Sequence, residues 1–327
     1  MSGTGKSKPI SPFRPSVKRI FLAREMGVTI PLLFLVLLIG LRNPAFFSLD
    51  NLINVLRSTS FTFIVGIGMT MLLVSAGLDL SIGSVFALGG CAAGYALTRG
   101  FPIPLAIVFG LLVGFMVGFV NGGIVVWVKI PTFITTLGML YMARGLVLVT
   151  TGGVPIYPLP AGFRALGQEG VAGLPYIIWI ALALGVAADF VLRQTTYGRA
   201  VYAIGGNEET ARLSGIRVSR VKLSLYMITS VLATLAGTLQ SARLGSAQPN
   251  MGQGFELEVI AAVIIGGTSL FGGAGTIGGT FLGALFLTVL KNGMSMVHIR
   301  PDWQQIIIGA IIIIAAGVDQ WRRRLHR

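Results

Sequence analysis

Arg193-Gln194-Thr195-Thr196-Tyr197-Gly198-Arg199-Ala200-Val201-Tyr202-Ala203-Ile204-Gly205-Gly206-Asn207-Glu208-Glu209-Thr210-Ala211-Arg212-Leu213-Ser214-Gly215-Ile216-Arg217-Val218-Ser219-Arg220-Val221-Lys222 is a polar island in an apolar chain. Its centre carries the marks of a short capped helix. Asn207 is placed to act as N-cap, Glu208 and Glu209 stand in the first turn where the helix dipole favours acids, and Gly215 closes the far end. The stretch from Glu208 to Gly215 is too short to stay helical alone in water. It therefore calls for a surface to dock against. Glu208, Glu209 and Arg212 supply charge for such a contact, and Leu213 an apolar anchor.

Outward from the island the chain is membrane-like. Of its 327 residues, 54% are hydrophobic and 11% charged. A soluble domain carries about 25% charged residues. The long apolar runs and the 45 glycines fit packed membrane helices rather than the short alternating segments of a β-barrel. The expected fold is an all-α polytopic membrane protein. The net charge of +14 comes from basic residues scattered over loop ends, without a nucleic-acid motif, so no nucleic-acid partner is expected.

Ten apolar segments are legible, at roughly 27–42, 58–76, 80–97, 104–127, 132–150, 174–192, 223–242, 257–270, 274–290 and 303–318. A straight crossing takes about 20 residues, so 257–270 is short, as a broken or re-entrant segment would be. With the N-terminus inside, seventeen of the 25 Lys and Arg residues fall on the inner segments and seven on the outer ones. Arg144 lies within a span. That bias places both termini and residues 193–222 in the cytoplasm. The domain reading is a disordered basic cytoplasmic arm at 1–25, a transmembrane domain at 26–320 and a basic cytoplasmic tail at 321–327.

Several residues stand out within the spans. Gly110, Gly114, Gly118 and Gly122 recur every four residues. They draw a smooth strip along one helix face, where a second backbone can approach closely or slide. Asp79 is either a cap where the following helix starts or a proton or cation site. Arg144 must face protein or water, paired with backbone carbonyls or lining a pathway. Asn121, beside the glycine strip, carries the same two readings. Cys91 is the single cysteine, and His298 and His326 have no partners for a metal site or a triad. No catalytic constellation, metal site or nucleotide-binding motif is apparent, so no cofactor is expected in this chain.

Four segments together resemble a known family. They are Ala76-Gly77-Leu78-Asp79-Leu80-Ser81-Ile82-Gly83-Ser84; Asn121-Gly122 with Pro131-Thr132-Phe133-Ile134-Thr135-Thr136-Leu137-Gly138; Gly205-Gly206-Asn207-Glu208-Glu209-Thr210-Ala211-Arg212-Leu213-Ser214-Gly215-Ile216; and Ala261-Ala262-Val263-Ile264-Ile265-Gly266-Gly267-Thr268-Ser269-Leu270-Phe271-Gly272-Gly273. The set is similar to the permease subunits of bacterial ABC importers, and Leu78-Asp79-Leu80-Ser81 and Trp303-Gln304-Gln305 favour the ribose or monosaccharide branch. The resemblance implies a fold like that of the cobalamin importer (type II), with about ten transmembrane helices, in the bacterial inner membrane. It implies a second permease copy or a paralogue, a cytoplasmic ABC ATPase that holds ATP and Mg, and a periplasmic or extracellular sugar-binding protein. Asn207–Ile216 then matches the family's ATPase-coupling region. Alternatives are import of a branched-chain amino acid or a nucleoside by the same machinery, or an ion-coupled secondary transporter.

Overall fold

The structure is a computed structural model that describes residues 17–325. Helix α1 (Val17–Arg42) leads through a 3-10 turn (Pro44–Phe47) into α2 (Leu49–Val74). Then come α3 (Ile82–Thr98), α4 (Ile103–Gly123), α5 (Thr132–Thr151) and α6 (Ala161–Gln168). A minimal hairpin of β1 (Gly170–Val171) and β2 (Leu174–Pro175) pairs Gly170 with Pro175 and precedes α7 (Tyr176–Gln194). The chain continues through α8 (Thr196–Gly206), α9 (Glu208–Leu213) and α10 (Val218–Leu244). It ends with α11 (Phe255–Ile265), α12 (Ile277–Met296) and α13 (Pro301–Leu325).

Six of these helices are long and apolar enough to cross a membrane: α2, α4 with its extension to Val128, α5, α7, α10 and α12. Shorter apolar stretches lie in α1, α3 and α13. The protein is therefore an all-helical, polytopic membrane protein. Helix α1 begins at Val17, so residues 17–25, assigned from sequence to the arm, are helical; Val17-Lys18-Arg19-Ile20-Phe21-Leu22-Ala23-Arg24-Glu25 holds no glycine or proline to stop them. Likewise α13 runs on to Leu325, into the expected tail. Residues 1–16 and 326–327 lie outside the described residues.

Turn chemistry sets the ends. Ser48 caps α2 by accepting from the Asn51 N–H, and the Thr276 hydroxyl caps α12 by accepting from Gly279. Helix α4 widens into a π-helical turn at Ile124–Val128 and stops at Lys129, which takes a left-handed φ of 63° ahead of Pro131.

Helix α10 is the pillar of the bundle, with α2, α3 and α4 packed around it. The glycine strip of α4 faces this pillar. A Cβ at Gly118 would lie 2.5 Å from the Tyr226 carbonyl oxygen, and one at Gly122 2.8 Å from a Leu223 methyl. At Gly114 it would collide with Thr234, and at Gly110 it would sit 2.9 Å from the Gly89 carbonyl of α3. From the other side Gly68 of α2 and Gly89 of α3 meet Thr229 and Thr234. Small residues on both partners thus bring backbones together, and packing, not an apolar-to-water difference, holds membrane helices to one another.

Candidate coupling surface and polar centres

Helices α8 and α9 form a compact unit at one end of the bundle. The Thr195 hydroxyl caps α8 by accepting from Gly198. Asn207 serves both helices. Its extended backbone donates to Ala203 at the end of α8, and its side chain accepts from Thr210 at 2.9 Å to start α9. The helix closes on Leu213, two residues before Gly215. Gly215 takes a φ of 84° and donates to Arg212, while Ile216 donates back to Ala211 at 3.1 Å. This pair of bonds is the Schellman closure, for which a left-handed glycine is suited.

Only one side of α9 is anchored. Ala211 is buried with Ile204 and Val218, and Ile216 and Val221 pack on them. Glu208 accepts from Lys222 of α10, while Arg212 reaches back to Glu209 at 3.2 Å and Glu208 at 3.4 Å. Glu209, Arg212 and Gly215 are exposed. Leu213 is 81% exposed, an apolar side chain aimed away from its own fold. The residues expected from sequence to form a docking element are thus brought together on one short, stiffly capped helix with a free outer face.

Helix α8 was not foreseen from sequence; the segment read as loop up to Asn207. Its signal was a helical spacing of Gly198, Val201, Ile204 and Gly205, which are buried. The helix rests on the junction of two loops, 75–81 and 266–276. The Gly273 N–H donates to Val74 at 2.8 Å, the Tyr202 hydroxyl donates to the Gly275 carbonyl at 2.7 Å, and Gly205 lies over both chains with no room for a Cβ. Tyr197 shares a 2.7 Å hydrogen bond with Ser224 of α10. Burial pushes the Tyr197 phenol above its ordinary value, and the Ser224 bond pulls the other way.

The polar residues within the bundle separate into two groups. Asp79 is fully buried just before α3 and accepts from the Ser81 N–H at 2.8 Å and the Ser81 hydroxyl at 2.6 Å. Asn121 of α4 donates to Ser81 at 3.0 Å and toward Asp79 at 3.5 Å. Asp79 thereby organises the turn ahead of α3 instead of capping N–H groups inside its first turn. The Asn121 carbonyl oxygen is buried without a partner. Arg144 stands apart from this pair. It donates to the carbonyls of Pro249 at 2.7 Å and Met251 at 2.8 Å, and to Gly83 at 3.4 Å. Its fork ties α5 to the loop between α10 and α11. Among the described residues no group of three or more His, Cys, Asp or Glu could hold a metal ion.

Fold and surface together define a helical membrane protein that presents a short capped helix with an exposed leucine at one end. A family model described as a branched-chain amino acid transport system permease component matches residues 51–316, and the chain belongs to that family. It is similar to the ribose import permease protein RbsC of Haemophilus influenzae, 40% identical with 91% of this chain and 93% of the relative covered. The protein of the same name in Bacillus subtilis is 37% identical over 91% and 93%. The xylose transport system permease protein XylH of Haemophilus influenzae is 34% identical over 84% and 90%. No solved structure matches the chain.

Proposed function

We propose that this chain is the permease subunit of a binding-protein-dependent ABC importer that carries a monosaccharide, a pentose or hexose, across the bacterial inner membrane. The observation that carries this reading is its similarity to ribose import permeases, 40% and 37% identical over about nine tenths of both chains. A second support is independent of it. The exposed face of α9, with Leu213 at its tip, suits a soluble partner that supplies energy the membrane chain has no motif to extract.

In this reading the ATPase is a separate subunit that holds ATP and Mg, and a sugar-binding protein delivers the solute on the opposite side. The permease forms the pathway and carries out no covalent chemistry. The bias of basic residues supports cytoplasmic termini and a cytoplasmic α8–α9 unit. The ten apolar segments support ten crossings in a type II fold, and a second copy or a paralogue completes the pathway. The test is reconstitution in vesicles with the partner ATPase and binding protein. ATP-dependent uptake of radiolabelled ribose or xylose is expected. Uptake that persists without the ATPase and follows an imposed proton or sodium gradient would overturn the reading in favour of secondary transport.

A further inference from the structure

The loop between α10 and α11 runs through the interior depth of the membrane. Arg144 lies about 18 Å along α5 from Thr132 at 1.5 Å per residue, more than half-way across a hydrocarbon core of roughly 30 Å. Its guanidinium holds the carbonyls of Pro249 and Met251 at that depth. Helix α11 has 11 residues and covers about 16 Å, little more than half the core. Its far end packs on α12, where Gly266 meets Gly279, close to the α8–α9 end. The remaining depth is therefore filled by Gly245–Gly254, which is irregular backbone.

Irregular backbone at this depth is tolerated only inside protein or along a water-filled cavity. Here the side chains decide between the two. Pro249 and Met251 are buried, whereas Asn250 and Gln253 are exposed and make no side-chain hydrogen bond among the described residues. Glu256 follows on the first turn of α11, half-buried, with a carboxylate oxygen turned in against Gly83. Two free amides facing hydrocarbon would be costly.

We propose that Asn250 and Gln253 line the solute pathway and exchange hydrogen bonds with the hydroxyls of the passing sugar, on a loop fixed in place by Arg144. The inference rests on the sugar-import reading above and names the part of the chain that reads the solute. A primary amide donates and accepts at once, as a hydroxyl does, so either amide can stand in for the water a polyol sheds. Arg144 has its donors committed to carbonyls and acts as a positioning residue. A loop held at its buried Pro249 and Met251 keeps Asn250 and Gln253 turned outward.

The test uses the complete transporter in vesicles, with Cys91→Ala as background and Asn250→Cys or Gln253→Cys added singly. A water-soluble, membrane-impermeant methanethiosulfonate is the probe, and Leu112→Cys on the exposed face of α4 the reference. Both loop cysteines should label, and labelling should slow several-fold during ATP-driven ribose uptake. Asn250→Ala and Gln253→Ala should each lower ribose uptake and change the ribose-to-xylose uptake ratio by about 3–10-fold, the scale of one lost hydrogen bond. Cysteines that label only after the subunits are separated in detergent would place the loop against a second copy and overturn the proposal. Labelling without any change in uptake or ratio would overturn the sugar-reading role. If an alanine variant fails to assemble, protection of the cysteines by ribose decides. Should the native transporter import neither sugar, the functional reading fails, while labelling still reports whether the loop is wet.

Discussion

The backbone N–H of Gly273 donates to the carbonyl of Val74 at 2.8 Å, joining the loop ahead of α12 to the end of α2, almost two hundred residues away in sequence. Gly205 of α8 lies directly on this junction. A Cβ there would collide with the Val74 carbonyl and stand 2.6 Å from the Gly273 nitrogen. The α8–α9 unit is therefore seated on the end of α2 and the segment that leads into α12. In the proposed reading, a push on α9 would reach the inner helices through this backbone contact.

Gly205→Val should break that seat. Forcing side-chain volume into a packed contact costs about 1–3 kcal/mol, because neither backbone can yield without moving the other. The expected outcome is a permease that still inserts and binds the ATPase, with sugar uptake per ATP hydrolysed reduced several-fold. Tyr202→Phe, which removes the bond to Gly275, should do the same more mildly. Unchanged uptake per ATP in both variants would show that force travels elsewhere.

Asp79→Asn should be tolerated where Asp79→Ala is not. One Asp79 oxygen takes both Ser81 bonds, and an asparagine oxygen in its place keeps them. The new amide would face Asn121, whose carbonyl oxygen is buried and unpaired; a flip of Asn121 lets it accept. Alanine instead strands two buried Ser81 donors, at about 1–3 kcal/mol each. Thermal unfolding in detergent should therefore rank native and Asn together and Ala well below. An asparagine variant that folds yet loses ion-dependent uptake would revive the secondary-transport alternative.

Gly118→Leu should prevent α4 from reaching α10, since its side chain would enter the Tyr226 and Met227 backbone. We expect loss of folded protein, seen as aggregation in size-exclusion chromatography. Gly138→Leu, at a site with open space around it, should be spared. Equal behaviour of the two would mean that the strip does not govern packing.

Much of this arrangement is legible in the sequence. Long apolar runs mark the spans because hydrocarbon demands them, and Asn207, Glu208, Glu209 and Gly215 mark a helix because its ends need partners. The strip at Gly110, Gly114, Gly118 and Gly122 is visible from its spacing, although its partner α10 is not. Helix α8 escaped because Arg199, Tyr197 and Tyr202 break the apolar rhythm with polar groups that the fold then satisfies through Ser224 and Gly275. The meeting of Val74 with Gly273, and the grip of Arg144 on Pro249 and Met251, join residues distant in sequence. No local pattern encodes such contacts. That span 257–270 is short is visible in the sequence, but the depth reached by the polar loop 245–254 before it is not.

The docking surface gives the last prediction. Ala211 and the Glu208–Lys222 pair tie α9 to its own protein, so changes there would disturb the permease itself. Leu213 and Glu209 point outward, and Leu213 is the one large apolar group on that face. An exposed anchor that fills a partner's pocket dominates binding, and rim charges set orientation and on-rate. Leu213→Asp should therefore weaken ATPase binding by about 2 kcal/mol or more, roughly 30-fold. Glu209→Lys should act chiefly on the association rate and its salt dependence. Pull-down of the ATPase from detergent and its association kinetics measure both, with melting of the permease as the control for folding. A cysteine introduced by Arg212→Cys should react with a soluble thiol reagent in the isolated permease and lose that reactivity when the ATPase is bound. If it stays equally reactive in the transporting complex, α9 is not the coupling element. The seat of α8 on Val74 and Gly273 would then be a packing contact without a role in transport.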